Sequence, residues 1–245
     1  MNNDLKKIVI IPTYNEKNNI GEIVEKIFDL NIPNLSILVV DDNSPDGTGQ
    51  IAEELAQKFQ QRLSVIHRSE KRGLGSAYVE GFRYALNNGA DYIFEIDADL
   101  SHDPLCIPVF LKAIENYDLV LGSRYINDGA IKNWNIIRRI LSWGGNLYAQ
   151  LILNMPIKDL TGGFKCFRRS VLEKININSL TSLGYVFQIE TTYRAWQAGF
   201  RIGEIPITFT ERKEGESKFN IQIFFDAFIK VLKLRFNSES FDNKK

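Results

Sequence analysis

Cysteine and histidine are scarce in this chain, with two of each in 245 residues. Cys106 and Cys166 stand far apart with no CxxC spacing, which argues against a disulfide framework and against a cysteine zinc site. His67 and His102 are too few to build a histidine-rich metal centre. A dominant charge is missing as well: Lys plus Arg and Asp plus Glu each number 30. Without a global field the chain does not recruit nucleic acid, and any anionic ligand must be held by local groups. The opening MNNDLKKIVIIPTYNE lacks the layout of a secretion signal and reads as the approach to a first strand. Together these absences predict a reducing, cytosolic setting.

A long, uniformly apolar run is also absent. Residues 140–157 carry no charge, which is long enough to raise the question of a membrane span. Yet Ser142, Asn146, Gln150 and Asn154 recur every fourth residue, with Gly144 and Gly145 between them. That spacing draws one polar stripe along a helix. The expectation is an interfacial or groove-lining helix, not a span.

What remains is a globular composition, 44% hydrophobic and 24% charged, in a chain long enough for one large domain. Short apolar, β-branched runs at 7–12, 35–40, 63–67, 92–96 and 119–122 alternate with helical patterns at 18–30, 48–59, 76–87 and 104–116. Such alternation predicts a mostly parallel sheet covered on both faces. Further on, the patterns predict a helix at 136–155, a loop and strand at 160–168, a helix at 186–197 and an extended stretch at 201–210. The last helix is expected at 221–236. Its residues Ile221, Phe224, Phe225, Phe228 and Leu232 share one side, opposite Asp226, Lys230 and Lys233. Packing on the core and lying in a lipid headgroup layer both account for that face. The organisation expected is one domain over 1–218 and an amphipathic C-terminal helix with a polar tail over 219–245.

In open parallel sheets, ligands sit beyond the carboxyl ends of the strands. Three polar clusters fall on that edge: PTYNE at 12–16, DDNS at 41–44 and DAD at 97–99. Asp97 and Asp99 are two hard oxygen donors of the kind that hold Mg²⁺ or Mn²⁺, with a diphosphate completing the shell. At a strand end, positions i and i+2 point the same way, so both carboxylates are expected to face one ligand. A charged strand end, with Ser101 or Asp103 capping the next helix, accounts for the same residues without a ligand. Asp42 is a candidate acceptor for a base or ribose, although a turn rich in Asp, Asn, Pro and Gly needs no function to explain it. RGLGSAY at 72–78 opens like a dinucleotide fingerprint and fails it, because Tyr78 takes the third glycine's place. The candidate cations are Arg124 after the fifth strand, Arg138 and Arg139 opening the striped helix, and Arg212 and Lys218 in ERKEGESK, although solvated surface accounts for any single one. The last two flank a Gly-Glu-Ser turn suited to a lid over phosphates.

The ordered motifs PTYNE, VVDDNSPDGT, GLGSAY, DADLSHDP, GSRY, NW…RR, DLTGGFK, GYVFQIE and GESK run from about residue 7 to 234. In this combination the chain resembles the polyprenol-phosphate (dolichol-phosphate) mannosyltransferases of the family-two glycosyltransferases. DLTGGFK, GYVFQIE and GESK narrow the likeness to that branch. The resemblance implies a GT-A fold, a Rossmann-like α/β domain. It implies a nucleotide site of Pro12, Tyr14, Glu16, Val40 and Asp42. Asp97, Ala98 and Asp99 would take the diphosphate sugar and its Mg²⁺ or Mn²⁺. Arg124, Arg212 and Lys218 would neutralise phosphates, and Arg138 and Ser142 would meet the acceptor phosphate.

By the same resemblance the reaction is transfer of mannose from GDP-mannose to a polyprenyl (dolichyl) phosphate with inversion; glucose-transferring relatives share most of the motifs. Implied partners are the cytosolic face of a membrane and small membrane-anchoring subunits. Many members of the family carry C-terminal transmembrane helices, and this sequence looks like the type without them.

Overall fold

The computed structural model describes residues 4–180, 184–211 and 221–237, with side chains in the last stretch from 228 to 236. Arg212, Lys218 and the expected boundary at 218/219 lie outside the described residues. In chain order the elements begin β1 (Lys7–Thr13), α1 (Ile20–Asp29), β2 (Leu35–Asp41), α2 (Thr48–Phe59), β3 (Leu63–His67), α3 (Leu74–Asn87) and β4 (Tyr92–Glu95). A 3₁₀ turn at Pro104–Cys106 leads into α4 (Ile107–Ala113), followed by β5 (Leu119–Ser123), β6 (Ala130–Lys132) and α5 (Ile136–Leu153). The chain continues with β7 (Lys165–Arg168), α6 (Arg169–Lys174), α7 (Tyr185–Gln197), β8 (Ile202–Pro206), β9 (Thr208–Thr210) and α8 (Ile221–Asn237).

Seven strands form one sheet in the order β3-β2-β1-β4-β7-β5-β8. All neighbours are parallel except β7, which runs antiparallel to both β4 and β5. Strand polarity alternates the side chains of β1 between two cores. Ile8 and Ile10 enter the core under α3, with Ala77 and Phe82, whereas Val9 and Ile11 meet Ile20, Ile23 and Ile27 of α1. Both faces are therefore covered, which is why the central strands read as unbroken apolar runs. Gly81 lets α3 approach the sheet closely: a Cβ there would sit 2.6 Å from Ile10 Cγ2.

The strand order reverses between β1, which leads outward to β2 and β3, and β4 on its other side. A crevice opens at such a switch point, beyond the carboxyl ends. A second, two-stranded parallel sheet of β6 and β9 stands beside the large one. Its β9 also touches the segment after β4, through a bridge between Phe209 and His102 and a hydrogen bond from Thr210 N to Ser101 O at 3.0 Å. β6 and α6 were not foreseen from the sequence, each being too short to show a period.

Helix α5 forms where expected, and the structure supplies the facing that four-residue spacing leaves open. The polar stripe faces the protein: Asn146 is buried, its Oδ1 accepting from Leu160 N at 2.8 Å and its Nδ2 donating to Thr161 Oγ1 at 3.1 Å. Gln150 Nε2 donates to Lys158 O at 2.9 Å. The apolar residues Ile136, Ile137, Ile140, Trp143 and Leu151 point outward, with Leu151 72% exposed. Helix α8 departs from expectation. Among its described side chains Val231 and Leu234 pack on the core, while Phe228, assigned to the apolar face, is 42% exposed and stacks on Tyr148 with ring centroids 3.9 Å apart. Among the described residues no helix is long and apolar enough to cross a membrane.

Candidate active site

The crevice between β1 and β4 gathers the three polar clusters. Thr13 O accepts from Asp42 N at 2.9 Å, and Glu16 N donates to Thr48 Oγ1 at 2.9 Å, tying the first two together. Tyr14 is half-buried beneath Lys71, whose ammonium lies 3.5 Å from the ring centroid. Pro12 stands opposite Val40 in the β1–β2 register. The Val40 side chain is wholly buried in the core under α3, which leaves its backbone as the part able to meet a nucleotide.

Asp42 also departs from the simple expectation. Its carboxylate oxygens already accept from Arg68 Nη1 at 2.6 Å, from Arg72 N at 3.1 and 3.2 Å and from Gly73 N at 2.9 Å. These contacts fill most of the acceptor capacity of a carboxylate. Asp42 thus anchors the turn that carries Lys71 over Tyr14, and a base or ribose that bonds it must displace one of these donors. Asp41 is likewise spent internally, accepting from Thr13 Oγ1 and Ser44 Oγ.

Strand β4 ends at Glu95, so Asp97 and Asp99 lie in the following turn and strand parity does not aim them. The turn itself does. Leu100 adopts φ +58°, and Asp99 Oδ1 closes the bend by accepting from Ser101 N at 3.0 Å. Asp103, not Ser101, caps the 3₁₀ turn, accepting from Leu105 N at 3.0 Å. The helix-capping role is therefore filled without the Asp97–Asp99 pair. Tyr78 donates to Asp97 Oδ1 at 3.4 Å, and a Cβ on Gly163 would stand 3.2 Å from Asp97 Oδ2. Burial, then the charges of Asp99 and Glu95, pushes the Asp97 carboxyl up to about 8. A cluster of acids whose protons are held so tightly is the environment that a divalent cation relieves. Among the described residues no third His, Cys, Asp or Glu completes a metal-holding group. The donor set therefore fits a hard ion that takes its remaining ligands from phosphate and water. His102 is buried against Phe164 and Phe209, its Nε2 3.8 Å from Asp97 Oδ2, and burial lowers it to about 4, leaving the ring neutral at pH 7.

Behind this turn, Glu95 faces Lys165 across the β4–β7 pair. Lys165 Nζ donates to Gln188 O at 2.7 Å and Thr191 Oγ1 at 3.1 Å, which joins the GGFK and GYVFQIE motifs. Both charges are fully buried; burial lifts Glu95 to about 7 and lowers Lys165 to about 8.

Arg124 is not a free cation awaiting phosphate. Its Nε and Nη2 each donate to the Asp159 carboxylate at 2.7 Å, and Nη2 also reaches Thr161 Oγ1 at 2.7 Å. The Asp159 charge holds Arg124 above, and Arg124 holds Asp159 below, their ordinary values. Asp159 was quoted within DLTGGFK without a role, because its partner lies 35 residues away and no local pattern announces it. Three rings, Tyr125, Trp134 and Phe209, stand 5.3–5.7 Å from the Arg124 guanidinium.

Arg138 and Ser142 lie one turn apart at the start of α5, which Asn135 caps by accepting from Arg138 N at 2.8 Å. Arg138 Nη1 donates to Glu211 at 2.6 Å, and the Tyr125 hydroxyl donates to Ser142 Oγ at 2.8 Å. Next to them a cleft of about 280 Å³ is lined by Arg124, Tyr125, Ile131, Arg139, Ile140 and Trp143, among others. One wall is cationic and the other greasy. Arg139, named above only as a candidate cation, is therefore part of the lining. Thr210 N to Ser101 O and Glu211 N to Lys132 O place β9 between the acidic turn and the approach to α5.

Residues 8–176 match the family model described as glycosyl transferase family 2. The chain is 45% identical over 227 residues to the polyprenol monophosphomannose synthase of Mycolicibacterium smegmatis, covering 92% of this chain and 85% of that protein. It is 41% identical over 227 residues to the undecaprenyl-phosphate mannosyltransferase of Micrococcus luteus, covering 93% of each. Among solved structures, the mannosyltransferase PcManGT from Pyrobaculum calidifontis, in complex with GDP-Man and Mn²⁺, aligns at TM-score 0.62 and 19% identity, covering 99% of this chain and 66% of that one. Glucosyl-3-phosphoglycerate synthase from Mycobacterium tuberculosis aligns at TM-score 0.68 and 17% identity, covering 96% and 78%. The structural likenesses establish a GT-A fold. With the sheet order, the acidic turn and the curated relatives in agreement, the chain belongs to glycosyl transferase family 2, in its polyprenol-phosphate mannosyltransferase branch.

Proposed function

We propose that the protein transfers mannose from GDP-mannose to a polyprenyl phosphate, with inversion at the anomeric carbon. The observation that carries this reading is the joining of two half-sites by β9, the acidic turn on one side and the Arg138–Ser142 start of α5 on the other. The names of the curated relatives supply the sugar and the lipid class.

Pro12, Tyr14, Glu16 and the Asp42-anchored turn form the nucleotide end, with Lys71 and Tyr14 closing over the base. Asp97 and Asp99, with the backbone of Ala98 between them, hold the diphosphate end. A Mg²⁺ or Mn²⁺ bound there supplies charge neutralisation of the departing diphosphate. Arg212 and Lys218, outside the described residues, add cations to the same leaving group. Arg138, Ser142 and the partly neutralised Arg124 receive the acceptor phosphate at the α5 N-terminus, where the helix dipole favours an anion. That phosphate is already anionic at pH 7 and needs no general base. The residues have only to align it and exclude water.

The outward apolar flank of α5 adjoins this acceptor end and suits the surface of a bilayer, where the lipid substrate resides. That arrangement supports peripheral attachment to a membrane; the cytosolic face and a small anchoring subunit belong to the proposal.

The test is incubation with radiolabelled GDP-mannose, GDP-glucose and UDP-glucose, a short polyprenyl phosphate, and Mg²⁺, Mn²⁺ or chelator. Metal-dependent label in the lipid fraction from GDP-mannose is expected. Transfer from UDP-glucose alone, or none at all, overturns the reading.

A further inference from the structure

Trp134 lies in the NW…RR motif, and the reading above gives it no task. Its ring has two cations near it: the Arg138 guanidinium is 4.2 Å from the ring centroid and the Arg124 guanidinium 5.7 Å. Phe209, from the stitching strand β9, meets the indole nearly edge-on at 5.3 Å and 67°. The indole therefore touches both guanidiniums of the acceptor end and the strand that leads to the donor end.

Two like charges on one ring repel each other, and each has an acidic partner pulling it away, Asp159 on Arg124 and Glu211 on Arg138. A ring face offers a cation attraction without neutralising it, unlike a carboxylate. The indole holds Arg138 without using any of its N–H donors, whereas each hydrogen bond to Glu211 takes one and offsets its charge. The indole also carries a cost. Trp134 Nε1 is buried and has no hydrogen-bond partner among the described residues, and a phenyl ring would avoid that cost. A locally unfavourable polar atom kept beside a cluster of ligand-binding cations marks a site shaped for function more than for stability.

We infer that Trp134 is a positioning residue for the acceptor phosphate, setting the spacing of Arg124 and Arg138 through its ring faces. The inference rests on the polyprenyl-phosphate reading. It predicts a division between substrates, because among the described residues the Trp134 ring contacts are with Arg124, Arg138 and Phe209, and none is with Tyr14 or Asp42.

The experiment compares wild type, Trp134→Phe and Trp134→Leu in steady-state transfer, varying polyprenyl phosphate and GDP-mannose separately, with thermal melts of each. Leu, which has no ring, is expected to raise the acceptor KM about tenfold or more while the GDP-mannose KM stays within about twofold. Phe, which keeps a weaker ring, is expected to recover most of that loss, with Tm equal to or above wild type. Wild-type transfer combined with an unchanged acceptor KM in a folded Leu variant overturns the inference. So does a parallel rise of both KM values, which is what general loosening would produce. Should Leu fail to fold, the Phe variant decides: an acceptor KM raised about threefold with an unchanged donor KM supports the role, and equality with wild type refutes it. No transfer by wild type removes the underlying reading, and this inference with it.

Discussion

Asp159 receives two near-parallel hydrogen bonds from Arg124, at 2.7 Å each, with both side chains almost entirely out of water. Breaking one partner of such a pair strands a buried charge, which costs about 3–5 kcal/mol. Asp159→Asn is therefore expected to lose about 3 kcal/mol of stability, read by urea unfolding at pH 7. The pair also sets an acid limit. The folded carboxyl lies below its unfolded value, so its contribution is complete above that unfolded value and drains away as pH falls through the folded one. Unfolding curves between pH 6 and 2 are expected to show that loss in wild type and to lack it in the variant.

Asp99 is one of the two carboxylates proposed to hold the metal, and an asparagine in its place keeps an oxygen to accept from Ser101 N. Asp99→Asn is expected to reduce turnover by about 10²-fold or more, since such electrostatic stabilisation reaches several kcal/mol. Unimpaired turnover in the presence of saturating Mn²⁺ would remove the metal assignment.

Protons and metal compete at Asp97. Because burial and the neighbouring acids raise its carboxyl to about 8, apparent Mn²⁺ affinity is expected to climb steeply between pH 6 and 8, by about tenfold or more. Electron paramagnetic resonance titration of free Mn²⁺ measures this without turnover. A flat profile over that range would count against Asp97 as a ligand.

The apolar flank of α5 is testable because it bears no load in the core. Trp143→Glu with Leu151→Glu is expected to abolish flotation with anionic liposomes while leaving Tm within about 1 °C, surface changes being nearly neutral. Truncation after Asn220 removes α8 and asks whether that helix contributes separately. Retained flotation there assigns the attachment to α5.

Close packing of α3 on the sheet gives one further expectation. Gly81→Ala places a methyl 2.6 Å from Ile10 Cγ2 and should destabilise the protein by about 1–3 kcal/mol, despite the better helix propensity of alanine. A stabilised variant, measured by chemical denaturation, would mean that α3 is free to lift from β1.

How much of this was legible beforehand differs by element. The five parallel strands and their helices show in the sequence because burial on both faces makes unbroken β-branched runs, and the ligand edge follows from where those runs stop. The antiparallel insertion of β7 between β4 and β5 does not show, since a strand's direction leaves no mark on its own residues. Neither does the Arg124–Asp159 pair, a contact made by the fold across a long stretch of chain. The acidic turn was found for a partly mistaken reason: Asp97 and Asp99 are presented by a bend closed on Ser101 N, beyond the end of the strand. The stripe on α5 was legible and its facing was not, because four-residue spacing says which side chains align and nothing about which way the helix is turned.

That facing has a practical side. With Asn146 and Gln150 bonded inward, α5 leaves Ile136, Ile137, Ile140, Trp143 and Leu151 on its outer flank, with Arg139 the exposed charge among them. In plain buffer such molecules will find each other's bare sides and clump. A mild detergent or lipid nanodisc should return them to single particles.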